Sequence, residues 1–182
     1  MDILVRTYSS EADPLLTSGC PSPSGWFPSC YTAIQNLLPA PVVLLDTGVF
    51  IAPDSDVLFD QFAPEFAEFF EKKGFNWKRL AGAEVLEIGG LPALDYIDQV
   101  ARTASGNFLD HNIRVNSVIS SYLIFNGTFL QRLGDLASSF VLRQTSLKFS
   151  LIPVDSASGT PESIDVPFVA ISRDLEFVDG QS

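Results

Sequence analysis

Basic residues are scarce in this sequence: 11 Lys and Arg stand against 22 Asp and Glu, for a net charge of −11. Phosphate backbones are held by Lys and Arg that displace counterions. The strongest basic clusters here are the pairs Lys72-Lys73 and Lys78-Arg79. They are too small for a nucleic-acid footprint or for docking on an anionic membrane, so neither is an expected partner. Long apolar runs are also missing, and nothing reaches the length of a membrane-spanning helix. The opening MDILVRTY has no basic start, apolar stretch or small-residue cleavage site, so it is not a signal peptide. Synthesis in a cytoplasm is the expectation.

Residues that usually carry chemistry are few. The two cysteines, Cys20 and Cys30, flank CPSPSGWFPSC. Free thiols are the default in a cytoplasm, and this spacing is wrong for a redox pair. Together with the single histidine, His111, they cannot complete a four-ligand zinc site without carboxylates. Phosphate-binding glycine loops, HExxH, the EF-hand pattern and the GxSxG elbow are all absent. His111 reads as a loop or surface residue, and no cofactor is expected.

What the chain does have is apolar weight. Apolar residues make up 46% of it, and there are 15 Phe, enough for a sizeable core and for contact with neighbours. One domain spanning 1–182 is expected, with a Pro/Ser/Gly-rich arm at about 9–30. That arm bears Trp26 and Phe27, a pair too apolar for free solvent; it either plugs the protein's own core or docks on a neighbour.

Along the chain, 3–8 reads as a strand, Tyr31–Leu38 as a short helix, and 42–51 as a buried strand with a break at Gly48. Leu58, Phe62, Phe66, Phe69 and Phe70 keep helical spacing, interrupted by Pro64, with Gly74 at the C-terminal cap. Residues 84–88 alternate as a strand. Pro92 opens a helix through Ala104, with Leu94, Ile97, Val100 and Ala104 on one side. The β-branched run 113–125 predicts a strand. Asn126-Gly127 is a hairpin signal, but Thr128 and Gln131 form a capping-box pattern, and this favours a helix over 129–142. Residues 145–154 alternate as a strand, 155–163 form a loop, and 164–178 hold one or two strands. The sum is an α+β fold with a mixed or mainly antiparallel sheet and three or four helices packed on it.

The segment LLDTGVFIA, around Asp46, resembles the first motif of PIN-domain nucleases. The resemblance covers about ten residues and implies that Asp46 helps bind a divalent metal. Such a site needs several converging carboxylates; Glu84 or Glu87, Asp95, Asp98 and Asp110 are available by count. Asp46-Thr47-Gly48 is also similar to the active-site triplet of retroviral-type aspartic proteases, with Ile88-Gly89-Gly90 mimicking their second motif; this implies a shared-proton dyad between two chains. The plain reading is that Asp-Thr-Gly finishes a strand in a turn.

The plain reading carries the most weight. The expectation is a non-enzymatic, acidic structural subunit of a homo-oligomeric or larger assembly. A virion component (a bacteriophage tail, neck or capsid accessory protein) fits best by analogy with that class. Its partners would be copies of itself and sibling structural proteins, and its final location a virion or other assembly. The residues expected to make contacts are Trp26, Phe27, Phe62, Phe66 and Phe69, together with an edge strand open to strand addition.

Overall fold

The structure, a computed structural model, describes residues 34–57, 64–105, 108–139 and 144–172. It is α+β, and its strand pairs are antiparallel. The larger sheet has the order β10-β9-β4-β3-β2, with the two-residue strand β5 (Leu91–Pro92) on the end of β4. Its members are β2 (Val42–Leu45), β3 (Gly48–Ile51), β4 (Glu84–Ile88), β9 (Ser146–Ile152) and β10 (Glu162–Pro167). A smaller sheet has the order β11-β1-β8, from β1 (Ile34–Leu37), β8 (Ser138–Ser139) and β11 (Val169–Ser172). β6 (Ser121–Phe125) and β7 (Thr128–Arg132) pair only with each other.

The two edges of the larger sheet feed the smaller one. β1 runs into β2 through Leu38–Pro41, and β10 runs into β11 through Phe168. β1 and β11 then pair, with Ile34 opposite Ser172 and Leu37 opposite Val169. One hydrophobic cluster spans both sheets: Leu37 and Val169 from the smaller, and Ile51, Ile88, Phe149 and Leu151 from the larger. Alternation makes this possible. In β9, Leu147, Phe149 and Leu151 all point inward and are buried.

Helices close the other side of this core. α1 (Pro64–Lys72) starts at a proline, whose missing N–H costs nothing at a helix start. It stops at Gly74, which takes φ +65°, while Phe75 N–H reaches back to the Phe70 carbonyl at 2.9 Å. Phe70 is fully buried, and the rings of Phe69, Phe75 and Trp77 lie 5.4, 5.6 and 6.2 Å from it. A 3-10 turn, Trp77–Leu80, follows. Arg79 on that turn donates to both carboxylate oxygens of Glu162 at 2.8 Å and to Asp155 at 3.0 Å, tying β10 and its loop to the helical layer.

α2 (Ala93–Thr103) forms where a helix is expected, but its inward stripe is Ala93, Ile97 and Ala101. Leu94 is left outside, 56% exposed. The small alanines let the helix lie close on β4 beneath it.

Four local expectations are overturned. Residues 34–37 are strand, not helix: β1 gains ladders on both sides, with β11 and with β8. Residues 111–118 are helix, not strand. Asp110 Oδ1 accepts from the N–H groups of Asn112 (2.8 Å) and Ile113 (3.1 Å), and this N-cap outweighs the β-branched composition of α3 (His111–Val118). The helix expected over 129–142 is replaced by β7, a turn at Gly134 and β8. Asn126 and Gly127 both take positive φ, 49° and 74°. They make the two-residue turn whose twist suits a hairpin, and so defeat the capping-box alternative. Likewise 42–51 is not one strand but a hairpin turning at Asp46-Thr47.

Candidate interaction surface

Asp46 sits exposed in the β2–β3 turn. Its would-be companions are spread out. Asp110 caps α3. Glu84 and Glu87 lie on β4. Asp98 Oδ2 accepts from Arg102 Nε at 2.6 Å, and its Oδ1 lies 2.6 Å from His111 Nε2. Arg102 first, and His111 second, hold the Asp98 carboxyl below its ordinary range. Asp98 is thus ionised and can only accept, so His111 Nε2 carries the proton. Ser105 gives its hydroxyl to Asp135 (2.7 Å) or to the Arg114 carbonyl (3.3 Å), not to His111. Among the described residues, no three His, Cys, Asp or Glu side chains gather where they could hold a metal. None of their helices is long and apolar enough to cross a membrane.

Of the expected contact residues, Trp26, Phe27 and Phe62 lie outside the described residues, as does the arm 9–30 with Cys20 and Cys30. Phe66 is in α1. Phe69 is half-buried against the core beside Phe70.

The apolar surface that the fold leaves outside lies mainly elsewhere. The β6–β7 ribbon, SYLIF-NG-TFLQR, is rooted firmly at its base. Ser120 Oγ donates to the Arg132 carbonyl at 2.7 Å, Arg132 Nη1 to the Ser117 carbonyl at 2.8 Å, and Arg132 Nη2 to Asp135 Oδ1 at 2.8 Å. Tyr122 Oη donates to Asp54 Oδ1 at 2.7 Å. Partial burial, and then this bond, push the phenol above its ordinary value. Beyond the base, Ile124 is 73% exposed, and Asn126, Gly127 and Thr128 are open to solvent.

A second apolar edge adjoins the ribbon. Val42 and Val43 of β2 are buried, but Leu44 and Leu45 are 44% and 54% exposed on opposite faces of the strand. The Ser120 N–H donates to the Val42 carbonyl at 2.7 Å, so β6 starts against the outer edge of β2. A third apolar spot, Phe108, Leu109 and Ile113, lies exposed around the acidic cap of α3.

Asn126-Gly127 marks the ribbon in the sequence; that Ile124 lacks cover is a tertiary fact with no local signal. No protein-family model and no curated protein matches the chain.

Proposed function

We propose that this chain is a non-enzymatic structural subunit of a homo-oligomeric or larger assembly, with copies of itself and sibling structural proteins as partners. The observation that carries the reading is the β6–β7 ribbon, an apolar two-stranded arm belonging to neither sheet. An isolated two-stranded hairpin is marginal in water, and exposed apolar residues grouped this way mark contact surfaces. The outer edge of β2, which beyond the Ser120–Val42 bond has no strand on it among the described residues, supports the same reading, because a neighbour's strand can add to it. The Pro/Ser/Gly-rich segment with Trp26 and Phe27 is a further contact candidate on sequence grounds, as are Phe62, Phe66 and Phe69.

Within that class, a virion component (a phage tail, neck or capsid accessory protein) suits a small acidic chain without a catalytic motif. This step is analogy of class. The test is to purify particles from producing cells on a density gradient and look for the chain by mass spectrometry. Its enrichment with one particle band, in fixed ratio to other structural proteins, is the expected result. Its absence from every sedimenting particle would defeat the virion reading. The rival, a metal-dependent nuclease built on Asp46, predicts divalent-ion binding and cleavage that Asp46→Asn abolishes while the fold survives. We expect no such activity in either protein.

A further inference from the structure

We infer that a second copy of this chain docks on the uncharged surface made by β2 and the β6–β7 ribbon. The inference rests on the assembly reading and names its first partner. Two copies of a chain with net charge −11 repel, and like charges set face to face across an interface are costly. A homotypic contact therefore has to fall where acids are missing. Residues 34–45 carry no charged side chain, and 111–134 contain no Asp or Glu. Arg132, at the ribbon's base, is already neutralised by Asp135. The third apolar spot does not meet the condition, since Asp110 sits within it.

Backbone geometry also fits. Leu45 and Gly48 close the two-residue β2–β3 turn, so they and every second pair bond to each other, and Leu44 between them turns its N–H and C=O outward. The same count from Phe125 and Thr128 turns the backbone groups of Ile124 away from β7. Among the described residues nothing pairs with these outward groups of Leu44 and Ile124. Both open edges start from one point, the Ser120–Val42 hydrogen bond. Residues 42–45 and 121–132, which carry no acid, supply 16 of the roughly 20 residues a side that a standard interface uses, with Asp46 and Asp54 at their borders. A partner selected by opposite charge would be drawn to the acidic faces instead. A neutral apolar strip on an acidic chain is what lets like meet like.

The test is sedimentation velocity of the purified chain over a wide concentration range, at low and high salt. Ile124→Asp and Leu44→Asp each place a carboxylate in the strip; Leu109→Asp makes the same change outside it. Far-UV circular dichroism and thermal melts check the fold, and Ile124→Thr, which keeps the β-branch, replaces Ile124→Asp if that variant unfolds. The expected result is a dimer or larger oligomer that high salt preserves or tightens. Either strip variant should weaken it at least about tenfold, and Leu109→Asp should leave it intact. A wild type that is monomeric throughout overturns the inference, as does dissociation by salt, or equal weakening by Leu109→Asp. A monomer that nonetheless bands with particles would sink self-docking and leave the assembly reading standing. An oligomer absent from all particles would do the reverse to the virion assignment.

Discussion

The β9–β10 and β6–β7 hairpins are built from similar material and end in opposite places. In β9–β10 one face carries Leu147, Phe149 and Leu151 into the core. Arg79 clamps Glu162 and Asp155 from the helical layer, and Glu162 and Asp165 put acids on the outermost strand. Charges along an outer strand discourage edge-to-edge pairing. In β6–β7 the bonds to the body that the described residues make lie at the base, and the strands carry no acid. The comparison teaches that alternation makes a strand, but only a covering layer makes it core. The first hairpin is covered by the chain's own core and helical layer; the second leaves Ile124 exposed among the described residues.

Four substitutions would break or sharpen that contrast. Phe149→Ala empties a fully buried site and should cost about 3–5 kcal/mol in chemical denaturation. The matching truncation Ile124→Ala should stay within about 0.5 kcal/mol for the monomer; a large loss there would mean the ribbon is core after all. Gly134→Ala should cost more than about 2 kcal/mol. Its φ is +83°, and a Cβ would clash with the Val118 carbonyl oxygen, so the root of the ribbon has no room for a side chain. Gly127→Ala at the tip meets no neighbour and pays only for its φ of +74°, about 1–2 kcal/mol.

The smallest effect is electrostatic. Hydrogen bonding to Arg79 lowers the Glu162 carboxyl below its ordinary 4.5. Its contribution is therefore complete above that pH and is lost as the pH falls through the lower folded value. Glu162→Gln should flatten the acid limb of a Tm-against-pH curve, and high salt should blunt the difference, because the pair is partly exposed. Tyr122 is the mirror case. Its phenol is raised above 10.0 by burial and by Asp54, so its contribution holds below that pH and fades above it. Tyr122→Phe should remove that alkaline slope while leaving the β9–β10 hairpin untouched.

Elements with two agreeing signals were legible in the sequence. β4 alternates and ends at a glycine pair, α2 follows Pro92, and β9 alternates over seven residues. Where signals conflicted, the weaker-looking one won. Asp110 alone announced α3 against a β-branched run, and Asn126-Gly127 announced the ribbon against a capping pattern. β1 had no local mark, because its ladder partners, Ser138–Ser139 and Val169–Ser172, lie over a hundred residues away in sequence. On α2 the expected Ile97 is buried and Val100 packs on the core, but Ala93 and Ala101 rather than Leu94 complete the inward side. Periodicity tells which residues share a side, but small alanines at the close approach to β4 decided which side faces in. The acidity of the chain, and the lack of acid in 111–134, were plain from composition; only the fold put that stretch on an arm.

The pairing of Ile34 with Ser172 has a consequence for the order of events on the ribosome. That ladder joins the first and last described strands, so the small sheet cannot be completed until nearly all of this region has been synthesised. Until then β1 has only its short ladder with β8. The small sheet is therefore the last part of the described fold to close, although its middle strand, β1, is the first to emerge.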